Sequence, residues 1–445
     1  MNPKITSLLA QKEIEIQWTD KPVTPWGGLS LFSGLAQQAG LVSALRVALP
    51  FHPTSPNATD PVEIVLAFMA GVLAGSRRLA HIERLRWDQG VKHILGIKRF
   101  VSDTTFSRFF QRFGVIQVND VFASLMRWQH GLISLEGEVL DLDSSAMERY
   151  GHQEGAVVGY NPKKHRRPSH HPLIATLGKR PWVVNAWLRA GNTTSARGAD
   201  YFLDDTLALL PFGLSIPYLR ADSGFGIETF LKKVEDKTFI YAITARFTKG
   251  LKNEVAKIQA WRILEPGIEV AETVFQAQGW SKARRVVLIR QRVKEKDFVR
   301  GRELFDDPGY VYQGILTNRT DAPEEVWRFY RKHADIENKI RELKWDYGAD
   351  GFCQKKFYAT EAAFRMVCVT YNLVSFLQEK LGFPIYKTLG TLRSQLFTVG
   401  TIVGTQGRKT ILRMSLSGPW RERFEEYLRI LFPSSKPKCG AVGTG

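Results

Sequence analysis

The chain has 445 residues and 44% of them are hydrophobic, so it can bury a large core and fold as two or three domains. Lysine and arginine number 62 and aspartate and glutamate 44, and the formal charge of +18 favours a polyanionic partner. Three cysteines without metal-binding spacing argue against a disulfide scaffold, and the lack of a secretory signal or a membrane-length apolar run predicts a soluble, cytoplasmic protein.

The first 130 residues predict a mostly helical region. An apolar run from Pro61 to Gly75 follows a capping aspartate and predicts a buried helix. A turn near Gly96 then separates two short helices, an arrangement similar to a helix-turn-helix. The second helix alternates phenylalanines with Arg108 and Arg112. Two interpretations stay open: a helix whose arginines contact DNA, or a small helical bundle with a phenylalanine core.

From Gly137 the pattern changes to strands. The stretch EVLDLDSS alternates, so Asp141 and Asp143 lie on the same side of one strand. A loop follows that is rich in Pro, Asn and Ser, and its cations are Lys163, Lys164, Arg166 and Arg167. Because this loop lies between two predicted strands, the first of which carries Asp141 and Asp143, phosphate contact is favoured over a merely solvated loop.

The next residues complete a mixed sheet. They predict strands over 181–191 and 239–246, helices over 198–211 and 227–235, and a strand ending in Asp222 within YLRADSGFG. This order predicts an α/β fold, in which helices pack on the faces of a mixed sheet. Asp222 then lies at the C-terminal edge of its strand, where open α/β sheets place their sites.

Residues 251–310 interrupt this pattern as a β-rich insertion. Two strands joined by a turn at Gly279 are predicted, and the second strand's cations give the insertion one basic face. A further core strand covers 310–318, and a buried helix covers 359–381. The basic C-terminal region, 382–445, ends in a segment whose composition predicts disorder.

A long amphipathic helix is predicted over 322–347. One face is apolar, and the neighbouring face carries Glu337 among side chains that can donate to phosphate, namely Tyr330, His333, Arg341 and Lys344. The ordinary explanation of such a face is a solvated surface with ion pairs. Asp143 and Asp222 change that balance, because two strand-end aspartates and a helical glutamate can converge on the paired cations that phosphodiester cleavage and transfer require.

These separated acids, in this order, resemble the DDE transposases of bacterial insertion sequences. The similarity is to the branch with a β-rich insertion and a Y-x2-R-x3-E-x6-K signature, which maps onto Tyr330, His333, Glu337 and Lys344. His333 stands where the family usually has arginine, and Arg331 and Arg341 are candidates to supply the missing charge. The stretches LDLDSS, GYNPKKHRRPSHHPL, LRAGNTTSARGA and LRADSGFG are also similar, so the resemblance covers nearly the whole chain.

The resemblance implies a fold and a metal site. It implies an RNase H-like mixed sheet over 131–250 and 311–381, an N-terminal helical DNA-binding region over 1–130 and a helical C-terminal region. It implies two Mg²⁺ or Mn²⁺ ions held by Asp143, Asp222 and Glu337. Asp143 fits the family's D-x-[ST] pattern, and Asp141 on the same strand face is the alternative first acid.

The resemblance also implies an activity. Such enzymes cleave double-stranded DNA at the element's terminal repeats and use the freed 3′-hydroxyl to attack target DNA, as homodimers on paired ends and in the cytoplasm with the nucleoid. Where a hairpin forms, an aromatic residue must receive a flipped base, and Trp280 is a candidate for that role or for packing. A nuclease or resolvase without strand transfer and a non-catalytic DNA-binding protein are the alternatives.

Overall fold

The computed structural model describes residues 4–53, 55–159, 164–292 and 309–433. The helices are α1 (Leu29–Gln38), α2 (Leu41–Ala48), α3 (Pro61–Leu73), α4 (Leu79–Ile82), α5 (Gln89–Leu95), α6 (Asp103–Phe110), α7 (Val115–His130), α8 (Ala199–Ala208), α9 (Glu228–Asp236), α10 (Lys249–Ala256), α11 (Pro323–Arg331), α12 (Asp335–Trp345), α13 (Phe357–Lys380), α14 (Leu389–Leu392) and α15 (Gly418–Leu431). The strands are β1 (Lys4–Thr6), β2 (Glu13–Glu15), β3 (Val23–Thr24), β4 (Val139–Ser144), β5 (Met147–Glu148), β6 (Val157–Val158), β7 (Pro168–His170), β8 (Leu173–Leu177), β9 (Val183–Trp187), β10 (Tyr218–Ala221), β11 (Ile240–Thr244), β12 (Arg262–Glu265), β13 (Ile268–Phe275), β14 (Arg284–Arg292), β15 (Tyr310–Thr317), β16 (Thr401–Gln406) and β17 (Lys409–Met414).

Within the described ranges, nine strands form one mixed sheet in the order β12-β13-β14-β15-β11-β10-β4-β8-β9. At its centre β10 pairs in parallel with both β4 and β11. On one side β8 and β9 continue antiparallel from β4, and on the other β15 is antiparallel to β11. The central strands are almost continuously apolar and buried, as a sheet covered on both faces requires. The predicted mixed sheet flanked by helices is confirmed.

The two strands predicted for the insertion are present as β13 and β14. They do not form a separate sheet but extend the main one. β13 and β14 are antiparallel neighbours, and the turn between them contains Gly279 at φ +86°. Residues Arg285–Arg292 of β14 pair with β15, which in turn pairs with the core strand β11. The insertion is therefore continuous with the central mixed sheet, a long-range pairing that strand patterns alone do not specify.

Three of the cations on which the predicted basic face of the insertion depends meet acids. Arg284 is buried and bonds Glu228 and Glu235, each at 2.8 Å. Arg285 pairs with Glu272, and Arg290 pairs with Glu269 on the facing strand. Opposite charges across neighbouring strands stabilise the sheet and leave less positive charge for an outside partner.

The helical layer is organised around α13. Almost all of α13 is buried, and α3, α6, α7 and β9 pack against it. The phenylalanines of α6 are part of this core: Phe110 packs edge-to-face on Phe68 of α3, with ring centroids 5.0 Å apart. The phenylalanine-core interpretation is thus the one the structure bears out for the aromatic residues. Arg108 and Arg112 lie on the exposed side of the same segment.

The two ends of the described chain meet. β16 and β17 form a hairpin around Gly407, which has φ +58°, and β3 from the N-terminal part pairs with β16. α15 packs on α1. The C-terminal region is therefore not wholly helical as expected, because an alternating stretch with a glycine turn favours a hairpin. The segment predicted to be disordered, 434–445, lies outside the described residues.

The predicted helix over 322–347 is divided. α11 and α12 are separated by a 3-10 turn, Lys332–Ala334. A 3-10 turn holds about three residues instead of 3.6, so the faces of the two helices are rotated relative to each other. Lys339 on α12 donates to the backbone oxygen of Leu177 in β8 at 2.6 Å, which fixes α12 across the end of the sheet.

No helix within the described ranges is both long enough and apolar enough to cross a bilayer.

Candidate active site

The two strand-end aspartates lie side by side. In the parallel pair β4–β10, Leu142 is opposite Ala221, so the residues that follow them, Asp143 and Asp222, are at the same level of the sheet. Asp143 accepts a hydrogen bond from the backbone of Ser144 at 2.6 Å. Asp222 accepts one from the backbone of Gly224 at 2.9 Å. The parallel register therefore brings together two acids that are far apart in the sequence.

These carboxylates carry an electrostatic cost. Burial raises the pKa of Asp143 to about 7, and the charge of Asp222 contributes to this rise, with a smaller contribution from Glu337. Burial also raises the pKa of Asp222. Among the described residues neither aspartate takes part in an ion pair, although the charge of His333 lowers both pKa values. Acids kept close without a neutralising partner are typical of functional sites.

The carboxylate oxygens of the site are suited to a divalent cation, but the three predicted ligands do not form one cluster. Carboxylate oxygens are the ligands that Mg²⁺ and Mn²⁺ prefer, and a cation would relieve the charge that raises both aspartate pKa values. Glu337 lies on the exposed side of α12, within electrostatic reach of Asp143. In the described part of the chain, no three His, Cys, Asp or Glu side chains are close enough to hold one ion together.

Asp141, the alternative first acid, is fully engaged in the interior. It is 0% exposed, and its two carboxylate oxygens accept from Arg220 Nε and Nη2, both at 2.7 Å. The Nδ1 atom of His333 lies 3.0 Å from the same carboxylate. Burial by itself would raise the pKa of Asp141, but the bonds from His333 and Arg220 hold it below its ordinary value. Asp141 is thus a buried anchor, and Asp143 is the one that faces Asp222.

The role of Arg220 was not predicted from the sequence. It is directly opposite Asp141 in the parallel register, and its Nη1 atom also donates to the backbone oxygen of Phe329 in α11 at 2.9 Å. One arginine therefore joins β4, β10 and the helix that leads to Glu337. The available signal was a pair of opposite charges, each placed two residues before a strand-end aspartate in an otherwise apolar strand.

The structure corrects the predicted common face of the signature residues. Tyr330 and His333 are buried, whereas Glu337 and Arg341 are exposed, because the 3-10 turn rotates α12 relative to α11. The hydroxyl of Tyr330 bonds Thr244, and burial together with the charges of the aspartates raises the pKa of Tyr330 to about 12. Direct phosphate contact by Tyr330 and His333 stays a prediction.

The two basic side chains of α12 near the site, Lys344 and Arg341, differ in their contacts and exposure. Lys344 donates to Ser145 and to the backbone oxygen of Ala146 at 2.8 Å, so it lies at the end of β4. Arg341 is exposed on α12 and bonds only its neighbour Asn338 among the contacts described, at 2.7 Å. Lys344 is therefore fixed against the residues that follow β4, whereas Arg341 lies on the exposed side of α12.

The basic loop is exposed where it is described. Lys164 bonds Glu148 and the hydroxyl of Tyr150, each at 2.9 Å, and the Arg167 guanidinium is 4.7 Å from the ring centroid of Tyr150. Arg166 is exposed at φ +61°. Lys163 lies outside the described residues. Phosphate contact by this loop stays a prediction.

The remaining candidates are surface or packing residues. Arg112 lies over the ring of Phe51 at 4.3 Å, and Arg108 is exposed. Trp280 is partly buried, with its ring centroid 5.9 Å from that of Phe275 and the guanidinium of Arg284 at 5.1 Å. These contacts account for Trp280 as a packing residue, and its base-flipping role stays a prediction.

A loop that the sequence singled out only as part of a resemblance also reaches the site. Ser195 shares a hydrogen bond of 2.7 Å with Ser144, the residue after Asp143. Buried Arg189 shapes this loop by donating to the backbone oxygens of Thr194 and Arg197 at 3.1 and 2.9 Å. The loop therefore forms one wall of the candidate site.

Comparisons with known proteins give a family match. The family described as transposase DDE domain group 1 matches residues 6–436. Among solved structures, the chain is similar to the piggyBac transposase in a synaptic complex with hairpin DNA, at 11% identity, covering 84% of this chain and 81% of that chain with a TM-score of 0.44. No curated protein matches the chain.

The buried ion pair gives a stability prediction. Replacing Arg220→Met leaves Asp141 buried with His333 as its remaining partner, and we expect the free energy of unfolding in urea to fall by about 3–5 kcal/mol. The matched control is Arg328→Met, since Arg328 is exposed on the adjacent helix and pairs with Glu325; it should change stability by less than about 0.5 kcal/mol. An Arg220→Met protein as stable as the control would contradict the anchoring role.

The raised pKa of Asp143 gives a pH prediction. The carboxyl group of Asp143 keeps its proton up to a pH of about 7 in the folded protein, whereas its ordinary pKa is 3.8. The contribution of Asp143 to stability therefore falls as the pH rises from about 4 to about 7. Asp143→Asn removes the cost, and in EDTA it should raise the free energy of unfolding by about 1–3 kcal/mol near pH 8. The gain should vanish near pH 4. A gain that is independent of pH would show that the charge is not its cause.

Proposed function

Because the chain belongs to the family of transposases with a DDE domain, we propose that it cleaves DNA at the ends of its insertion sequence and joins the freed 3′-hydroxyls to target DNA. The observation that carries this proposal is the pair of strand-end carboxylates, Asp143 and Asp222, held side by side with raised pKa values. The charge of Glu337 within reach of Asp143 supports it as the third acid.

The proposed ion ligands are Asp143, Asp222 and Glu337, and the proposed ions are two Mg²⁺ or Mn²⁺. Such ions, when bound, activate the attacking hydroxyl and stabilise the leaving oxygen. The chain's own contribution is positional: the parallel register sets the two aspartates, and α12 carries Glu337 across the sheet end. The order β9-β8-β4-β10-β11, with three antiparallel strands followed by two parallel ones, supports an RNase H-like core.

The proposed partner is double-stranded DNA, bound as a homodimer that pairs the two ends. Lys344 beside the end of β4 is suited to hold a phosphate next to the acids, and the exposed loop with Arg166 and Arg167 adds positive charge nearby. The excess of 62 basic over 44 acidic residues supports a binding strength that falls steeply with salt.

The test uses a DNA fragment carrying the sequences that flank the reading frame, with Mg²⁺ and a second DNA as target. Glu337→Gln should reduce cleavage and joining by roughly a thousandfold, because it removes several kcal/mol of ion and transition-state stabilisation. Binding of the same DNA should persist. Asp335→Asn is the matched control, since Asp335 is an exposed acid on the same helix that pairs with Lys339.

The outcomes separate the alternatives. Cleavage by Glu337→Gln at the wild-type rate would refute the assigned site. Cleavage by the wild type without joining would support a nuclease or resolvase instead. Binding without either reaction in the wild type would support a non-catalytic DNA-binding protein.

A further inference from the structure

A groove with a volume of about 1090 Å³ opens beside the end of β4. One wall begins at Ala146 and Met147, directly after the segment that carries Asp143. The facing wall contains Lys344 and Trp345 at the end of α12, and Lys344 bridges the two walls through the backbone oxygen of Ala146. The groove therefore adjoins the candidate active site without including its acids.

Two aromatic rings in this groove are exposed to solvent. Trp345 is 66% exposed and Tyr150 is 71% exposed. Each ring has an arginine beside it: Arg77 lies 5.5 Å from the centroid of Trp345, and Arg167 lies 4.7 Å from that of Tyr150. Large exposed rings contribute little to folding, whereas an open aromatic face next to a cation is suited to stack a base.

The charges of the groove favour a polyanion. Its cations are Arg77, Arg78, Arg149, Lys164 and Lys344, and its acids are Asp103, Glu148 and Asp350. Arg77 pairs with Asp350 at 3.2 Å on the groove surface, where such pairs exchange readily with phosphate. Arg78 is exposed and forms no ion pair within the described residues. A positive groove with interleaved aromatic rings is the arrangement that binds single-stranded nucleic acid.

The distance from Glu337 to the groove is short enough for one DNA strand to reach both. Glu337 and Trp345 are on the same helix, eight residues apart, which corresponds to about 12 Å along its axis. Even at the roughly 3.4 Å per nucleotide of a strand stacked in a duplex, about three to four nucleotides span this distance.

We propose that this groove binds a single-stranded stretch of DNA next to the cleavage site, with unpaired bases stacked on Trp345 and Tyr150 and phosphates held by Arg77 and Arg78. The inference rests on the proposed function, because it gives the path of the strand that adjoins the cut. In a paired duplex the bases are already stacked on one another, so the exposed rings are matched to a strand whose bases are free.

The test measures binding by fluorescence anisotropy in EDTA at fixed salt. The probes are a labelled oligodeoxythymidine of about 20 nucleotides and a labelled duplex of the same length. Trp345→Ala should bind the oligodeoxythymidine about tenfold more weakly, with less than a twofold change for the duplex, whereas Trp345→Phe should keep most of the affinity. Trp87→Ala is the matched control, because Trp87 is 78% exposed beside Arg86 but does not line the groove.

A second variant tests the phosphate contact. Arg78→Ala should weaken oligodeoxythymidine binding and lower the slope of log affinity against log salt by about one. Unchanged binding by both Trp345→Ala and Arg78→Ala would overturn the proposal, and equal losses on the two probes would overturn the assignment to single strands. The assay contains no metal, so it judges the groove even if the wild type fails to cleave, and the cleavage assay with Glu337→Gln judges the function separately.

Discussion

The arrangement of the site depends on the buried contact between Asp141 and Arg220. Two charges are tolerated at this depth because each satisfies the other with two hydrogen bonds, and His333 occupies the remaining side of the carboxylate. The contact joins the two central parallel strands at one register. A slip of one residue would turn alternate side chains to the opposite face, and Asp143 and Asp222 would no longer lie together. The same contact reaches the backbone of Phe329 and so positions the turn before α12.

The buried pair of Asp141 and Arg220 holds the strands in a register that places two acids, Asp143 and Asp222, unfavourably close together. Asp143 and Asp222 are partly buried at the same level of the sheet, and the pKa of Asp143 rises to about 7 as a result. A folded protein keeps such a cost when the surrounding structure over-determines the geometry, and it is relieved when a cation binds. The stable charge pair and the destabilised acids are two residues apart on each strand, so one element of structure both stabilises the sheet and presents the proposed ligands.

The sequence predicted the parts that depend on local patterns. The strands that end in Asp143 and Asp222, the buried helix α13 and the antiparallel strands β13 and β14 each follow from hydrophobic periodicity and turn residues. Long-range pairing was not visible in these patterns. The extension of the core sheet by the insertion, the acids that meet Arg284 and Arg290, and the partner of Asp141 all depend on residues tens of positions away. The 3-10 turn at His333 was missed because the helical pattern continues through it, while a tertiary contact determines the local geometry.

The most direct measurement is anomalous X-ray scattering from crystals of the protein grown with Mn²⁺. A manganese peak should lie between Asp143 and Asp222, within about 2.6 Å of a carboxylate oxygen from each, and it should disappear in Asp143→Asn. Well-ordered crystals in which no manganese approaches either aspartate, or in which the peak persists in Asp143→Asn, would contradict a metal-dependent site at the ends of these two strands.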